Sequence, residues 1–205
     1  MTKYEELKPP LFSIPEIIEK ANRFRLKYHG DKSCPVDIVN IVESDLDIYI
    51  CPISELESRC GTDSFITTSW DKLYVDIRKF GNESYDKRMN FSIAHEVGHF
   101  ILHKGYRELI MVDTIGDYYR YIEKCPENVY KVLERQANIF AANLLVPGHE
   151  LKSNIKFLQN KIKEGKIDKL DIGIALSDNF QVSKDVIVNR ILNEKIDLDF
   201  IDIDN

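Results

Sequence analysis

The chain of 205 residues has few cysteines, only Cys34, Cys51, Cys60 and Cys125. They form no C-x-x-C pair and no regular spacing, which excludes a cysteine-based zinc site and a disulfide framework. Reduced, partly buried thiols in a cytoplasmic protein are the expectation. No apolar run approaches the roughly 20 residues that a membrane span needs, so no membrane partner is expected. The first residues, Met1 to Glu6, lack the apolar core of a secretory leader. Positive charge is not in excess either. Lys and Arg total 28 against 34 Asp and Glu, for a net charge of −6 and a pI near 5.4. That balance argues against direct nucleic-acid binding, which wants a basic face. No internal repeat or low-complexity linker interrupts the chain. What remains is ordinary for a globular protein, with 43% hydrophobic and 30% charged residues, and the length suits one compact domain with a small appendage.

Helix signals dominate both ends. Ser13 is a candidate N-cap with Pro15 and Glu16 in the turn behind it. Ile17, Ile18, Ala21, Phe24 and Leu26 then predict a helix to about Tyr28, closed by Gly30. A second helix is expected to start at Ser33-Cys34-Pro35 and run through Val42. The middle reads as strands: Ile48–Cys51, then Ser64–Ser69 and Leu73–Ile77 as a hairpin about Trp70-Asp71-Lys72. Polar Ser64, Thr67, Thr68 and Ser69 place one of these strands near a sheet edge. Ser84 is the expected cap of a central helix, with Gly105 closing it. Residues 106–127, rich in tyrosine, read as irregular. Pro126 introduces a helix from about Asn128 to Leu145, stopped by Val146-Pro147-Gly148. Further helices are expected over about 150–163, 169–179 and 184–193, the last capped by Ser183, before an alternating acidic and apolar end at 197–205.

The central helix carries the chemistry. His95-Glu96-Val97-Gly98-His99 is an H-E-x-x-H motif. Histidines four residues apart share one helical face, with Cβ atoms roughly 5–6 Å apart, close enough to converge on one Zn²⁺. Glu96 is then placed to take a proton from a metal-activated water. His103 continues the line by one more turn. Three collinear helical histidines do not all reach one ion, so His103 is expected to make a structural hydrogen bond.

Catalytic zinc usually has three protein ligands. The best third candidate is Glu134 on the helix that follows Pro126. Asn138 lies one turn further on the same face, placed to orient a histidine ring. The small residues Ala137, Ala141 and Ala142 nearby would let two helices come close. His149, Asp113 and Glu123 are the rivals, one just after a helix stop and two in the irregular stretch. Tyr118, Tyr119 and Tyr121 are candidates to steady an oxyanion, against the more ordinary role of packing the loop. Residues 172–192 have a helix-turn-helix pattern, but Lys184 and Arg190 alternate there with Asp185 and Glu194, so packing on the rest of the chain is favoured over DNA binding.

Two stretches resemble the ImmA/IrrE-type metallopeptidases. Residues 88–103 are similar to that family's R-x-x-F-x-x-A-H-E-x-G-H-x-x-L-H core, and residues 134–147 to its E-x-E-A-N-x-F-A-A-x-L-L-x-P segment, with Gln136 in place of the second acid. The resemblance implies an α+β fold, a mostly helical zincin-like domain with a small three-stranded sheet, spanning about 1–148, and a helical C-terminal subdomain over 149–205. It implies Zn²⁺ on His95, His99 and Glu134 and Glu96 as the base. It further implies a cytoplasmic endopeptidase whose partner is a protein substrate, a helix-turn-helix repressor of mobile-element or stress genes. The substrate is expected to lie extended along the strand edge at Phe65–Ser69. A catalytically silent metal-containing regulator and a DNA-binding transcription factor are the alternatives.

Overall fold

The structure, a computed structural model, describes residues 8–163 and 171–196. Residues 1–7, the start of the helix expected over 169–179 and the alternating end at 197–205 lie outside the described residues. The Glu16 carboxylate accepts from the backbone N–H and the hydroxyl of Ser13, at 2.7 Å each, which satisfies groups that a helix start leaves open. Helix α1 (Ile14–Tyr28) follows. Its Ile17, Ala21 and Phe24 are buried against α6 (Glu127–Leu145), where the Phe24 and Phe140 rings meet at 5.9 Å.

The second helix starts later than expected. Helix α2 (Ile38–Asn40) is capped by the Asp37 carboxylate, which accepts from Asn40 N–H, and passes into a single π turn, Ile41–Asp45. Upstream, Cys34 N–H donates to Glu150 at 3.1 Å and the Cys34 thiol to the Leu145 carbonyl at 3.6 Å. These bonds hold the segment against the end of α6 instead of in a helical turn.

The sheet has three strands, β1 (Tyr49–Ile53), β2 (Ser64–Ile66) and β3 (Lys72–Asp76), in the order β1-β3-β2. β2 and β3 form the expected antiparallel hairpin, and β1 adds to β3 in parallel. β2 is shorter than the pattern predicts because Thr67 already belongs to the turn, where its N–H and hydroxyl both donate to the Lys72 carbonyl. A short helix, α3 (Leu56–Cys60), stands between β1 and β2, and its Glu57 N–H donates to the buried Asp76 carboxylate.

Helix α4 (Asp86–Arg107) carries the H-E-x-x-H motif. Its entry is set by Asn82, whose side chain accepts from Ser84 N–H ahead of a 3-10 turn at Glu83–Tyr85, and not by a Ser84 cap. Gly105 does not close it. The helix continues because Tyr106 and Arg107 are buried and anchor its last turn. The stretch expected to be irregular contains helix α5 (Ile115–Lys124), held by a capping box between Thr114 and Asp117. Helices α7 (Gly148–Lys163), α8 (Asp171–Phe180) and α9 (Lys184–Asn193) complete the described chain, with the Ser183 side chain capping α9. The fold is therefore α+β, mostly helical with a small mixed sheet.

One apolar cluster joins Phe24, Ile93, Val97, Phe140 and Leu144 to Leu176, Phe180 and Ile187, so α8 and α9 share a core with α1, α4 and α6. A second cluster, with Leu56, Phe65, Tyr118, Tyr121 and Leu133, lies under α5. Between sheet and α4 sits a buried ionic knot. Asp63 accepts from Lys79 Nζ at 2.6 Å and from Arg88, which ties the start of β2 to the first turn of α4. Burial opposes charge on Asp63, but Arg88 and Lys79 outweigh it and hold the carboxyl below its usual range. A depressed folded-state pKa contributes stability that is present above the unfolded value, about 4, and lost as pH falls through the folded one. Asp63→Asn is expected to cost about 3 kcal/mol at pH 7, because two cations lose their buried partner. Below pH 4 that difference shrinks, which urea unfolding of both proteins at pH 7 and pH 3 measures.

Candidate metal centre

The site depends on how closely α4 and α6 approach. A Cβ built on Gly98 would lie 3.1 Å from both the Cα and the carbonyl oxygen of Ala137, and 3.4 Å from its Cβ. Glycine on one helix facing alanine on the other brings the backbones together. His95 and His99 on α4 then meet Glu134 on α6, with one donor atom from each within 4.8 Å of the others. The two Nε2 atoms are 3.0 Å apart. Glu134 places one carboxylate oxygen 3.1 Å from His95 Nε2 and the other 3.3 Å from His99 Nε2. His95 turns its Nδ1 to Asn138 Oδ1 at 2.9 Å, so the Asn138 amide holds that ring.

The donor set suits a divalent cation of the zinc type, which takes imidazole nitrogen and carboxylate oxygen. The electrostatics agree at Glu134 and His99. Burial alone would neutralise Glu134, yet His99 and His95 hold its carboxyl far below the usual range. Burial drives the His99 imidazole well below its ordinary value despite Glu134, which keeps it neutral as a ligand must be. Burial also opposes charge on His95, but there the Glu134 carboxylate prevails and the pKa rises.

Glu96 points the other way, toward the sheet. It is only 4% exposed, and its carboxylate accepts from Ile66 N–H at 2.9 Å. The Ser64 hydroxyl stands 3.5 Å from its other oxygen, and the buried Arg107 guanidinium 3.9 Å away. Burial pushes the Glu96 carboxyl up to about 7, against the pull of His95 and Arg107. His103 is fully buried and makes hydrogen bonds through both ring nitrogens, to His99 and Gln136, as a structural histidine should.

The rival ligands are elsewhere. Asp113 accepts from Ser69 N–H at 2.9 Å and from the Thr68 hydroxyl at 3.2 Å, His149 is exposed beside Glu150, and Glu123 is exposed on α5. Tyr118 stacks on Phe65 at 4.5 Å, Tyr121 is buried under Arg107, and Tyr119 faces solvent. The expected strand edge is also taken. Ile66 N–H is bound by Glu96, Thr68 N–H donates to the Val112 carbonyl, and Val112 N–H donates to the Thr68 hydroxyl. The segment ahead of α5 thus covers the Thr68–Ser69 end of that edge, and the N–H groups of Ile66, Thr68 and Ser69 are already bound, which leaves an added substrate strand few donors there. Sequence reasoning missed Arg107 and the Ile66 N–H. A basic residue at a helix end reads as a partner for the helix dipole, and a backbone donor has no sequence signature.

Two helices in close contact present His95, His99 and Glu134, which could hold a metal ion, with the buried Glu96 beside them. A model of the IrrE N-terminal-like domain, family Peptidase_M78, matches residues 82–192. The match spans α4, α6 and the helices after them, more than half of the chain, and the chain belongs to this peptidase family. No curated protein sequence matches it.

The close contact yields a prediction of unusual sign. Glycine to alanine in an exposed helix interior gains up to about 1 kcal/mol. At Gly98 the new methyl meets α6 backbone, so Gly98→Ala is expected to cost about 1–3 kcal/mol and to weaken zinc binding about tenfold by lifting Glu134 away. Urea unfolding of the metal-free protein and zinc titration against a chromophoric chelator read the two effects separately.

Proposed function

We propose that the chain is a zinc-dependent endopeptidase that cuts one specific protein, a helix-turn-helix transcriptional repressor, and so derepresses genes of a mobile element or stress response. The convergence of His95, His99 and Glu134 beside Glu96 is the observation that carries this reading. Membership of a peptidase family supports a protein substrate. The choice of a repressor rests on the resemblance of the two motif segments to the ImmA/IrrE type. Residues 1–148 are read as the catalytic domain, 149–205 as a subdomain packed on it, and the cytoplasm as its setting. No helix among the described residues is long and apolar enough to cross a membrane.

Zinc held by His95, His99 and Glu134 would supply Lewis acidity toward the scissile carbonyl and toward water. Glu96 would take the water proton and pass it to the leaving amine. Its pKa near 7 brings its basicity close to the working pH. Ile66 N–H and Arg107 fix the carboxylate between the strand and the cluster, and Asn138 fixes His95. DNA binding through α9 has little support. Arg190 is buried, with its guanidinium donating to the Val146 carbonyl and to Glu194.

The burial of Glu96 behind a covered strand edge favours a second reading, a metal-containing regulator that holds its partner without cutting it. One experiment separates the two. Zinc-loaded protein is incubated with helix-turn-helix repressors encoded near its gene, and the products are read by intact mass. A single cut is expected, with Glu96→Gln retaining zinc but slowing cleavage about 10²–10⁴-fold. Intact repressors throughout, with regulation preserved in Glu96→Gln, would establish the silent regulator.

A further inference from the structure

A chain of buried hydrogen bonds leads away from the metal face of His99. His99 Nδ1 lies 2.9 Å from His103 Nδ1, and His103 Nε2 lies 3.0 Å from Gln136 Oε1. Gln136 Nε2 in turn donates to the Pro10 carbonyl at 3.1 Å. His99, His103 and Gln136 are all buried, so water does not replace a misdirected bond.

The chain has one consistent direction. A backbone carbonyl only accepts, so Gln136 must point its amide N–H at Pro10 and its oxygen at His103. That oxygen also only accepts, so His103 must carry its proton on Nε2. A neutral imidazole then has a lone pair on Nδ1, and His99 must donate to it from its own Nδ1. Reversing any link sets two lone pairs or two hydrogens against each other. We infer that His103, Gln136 and the Pro10 carbonyl lock His99 in the Nδ1–H tautomer, so that its Nε2 lone pair faces the metal. His103 and Gln136 are positioning residues, and the segment ahead of α1 is the far support of the centre. This rests on reading His95, His99 and Glu134 as metal ligands. It also gives Gln136 a purpose that a carboxylate at that position lacks, since a carboxylate accepts from His103 but has nothing to donate to Pro10.

Two nearly isosteric variants separate direction from packing. Gln136→Glu keeps an acceptor for His103, whereas Gln136→Leu fills the space without one. If the side chain only packs, leucine is the better substitute. If it directs, glutamate is. The probe is zinc alone, titrated against a chromophoric chelator, with long-range ¹H–¹⁵N spectra of ¹⁵N-histidine-labelled protein reporting the His99 tautomer. Outer partners of a ligating histidine typically contribute 10–100-fold in metal affinity. Gln136→Leu and His103→Phe are expected to lose that factor and to show His99 with mixed tautomers before metal is added. Gln136→Glu is expected to fall between wild type and Gln136→Leu, with Nδ1–H retained on His99, because it keeps the acceptor for His103 and loses only the bond to Pro10. Zinc affinity and a His99 spectrum unchanged in Gln136→Leu would overturn the inference while leaving the metal centre standing. A wild-type chain that takes up no zinc would remove the centre and this inference together.

Discussion

The contact between Gly98 and Ala137 is the constraint on which the centre depends. Ligands from two helices can share an ion only if their backbones come within reach of one imidazole and one carboxylate. Here a Cβ on Gly98 would already press on α6 backbone at 3.1 Å. The rest of the fold holds that approach. Asp63 ties the start of α4 to the sheet through Arg88 and Lys79. Phe24 of α1 backs Phe140 of α6 from the far side. Arg107, at the last turn of α4, is buried beside Tyr121 and Glu96. Gly98, an unspecified position of the H-E-x-x-H motif, is thus one where an added side chain meets backbone.

The same contact buries polar groups, and the structure answers each with a partner of fixed chemistry. Glu134 and Glu96 show how far environment separates two identical carboxyls. Glu134 faces two imidazoles and is held ionised. Glu96 sits behind β2, receives Ile66 N–H, and has its proton affinity raised by burial to about 7. One is suited to hold a cation and the other to exchange a proton. Paired titratable groups whose environments push them apart are the usual mark of divided acid–base labour.

The convergence of His95, His99 and Glu134 was legible because helical periodicity makes it so. His95 and His99 are one turn apart, as are Glu134 and Asn138, and the small residues beside Glu134 announce a close helix contact. The hairpin and the α+β class were legible from alternation and β-branched residues. Other features hid behind competing signals. Gly105 reads as a helix stop, but burial of Tyr106 and Arg107 outweighs its preference. The Thr114 and Asp117 box that starts α5 was in plain view, masked by Gly116 and by the polar residues ahead of it. Asn82 displaced Ser84 as the cap of the turn before α4, a difference between neighbours that both make good caps. The covering of the turn after β2 was not legible. It depends on Val112 and Thr68, far apart in sequence, exchanging backbone and side-chain bonds.

That covered edge decides how the centre meets the solvent. On the sheet side Ser64, Phe65 and Ile66 are buried and Glu96 is enclosed. On the α6 side Asn138 is exposed and the Glu134 side chain partly so. There a groove of about 760 Å³ runs from Tyr130, Glu134 and Asn138 past Ile18 toward Val186 and Asn189 of α9. Its walls are helices, whose backbone groups are already paired, so it offers side chains and not a ladder of donors and acceptors. Helix α9, which shares a core with α4 and α6, therefore forms one wall of the groove beside Glu134 and Asn138.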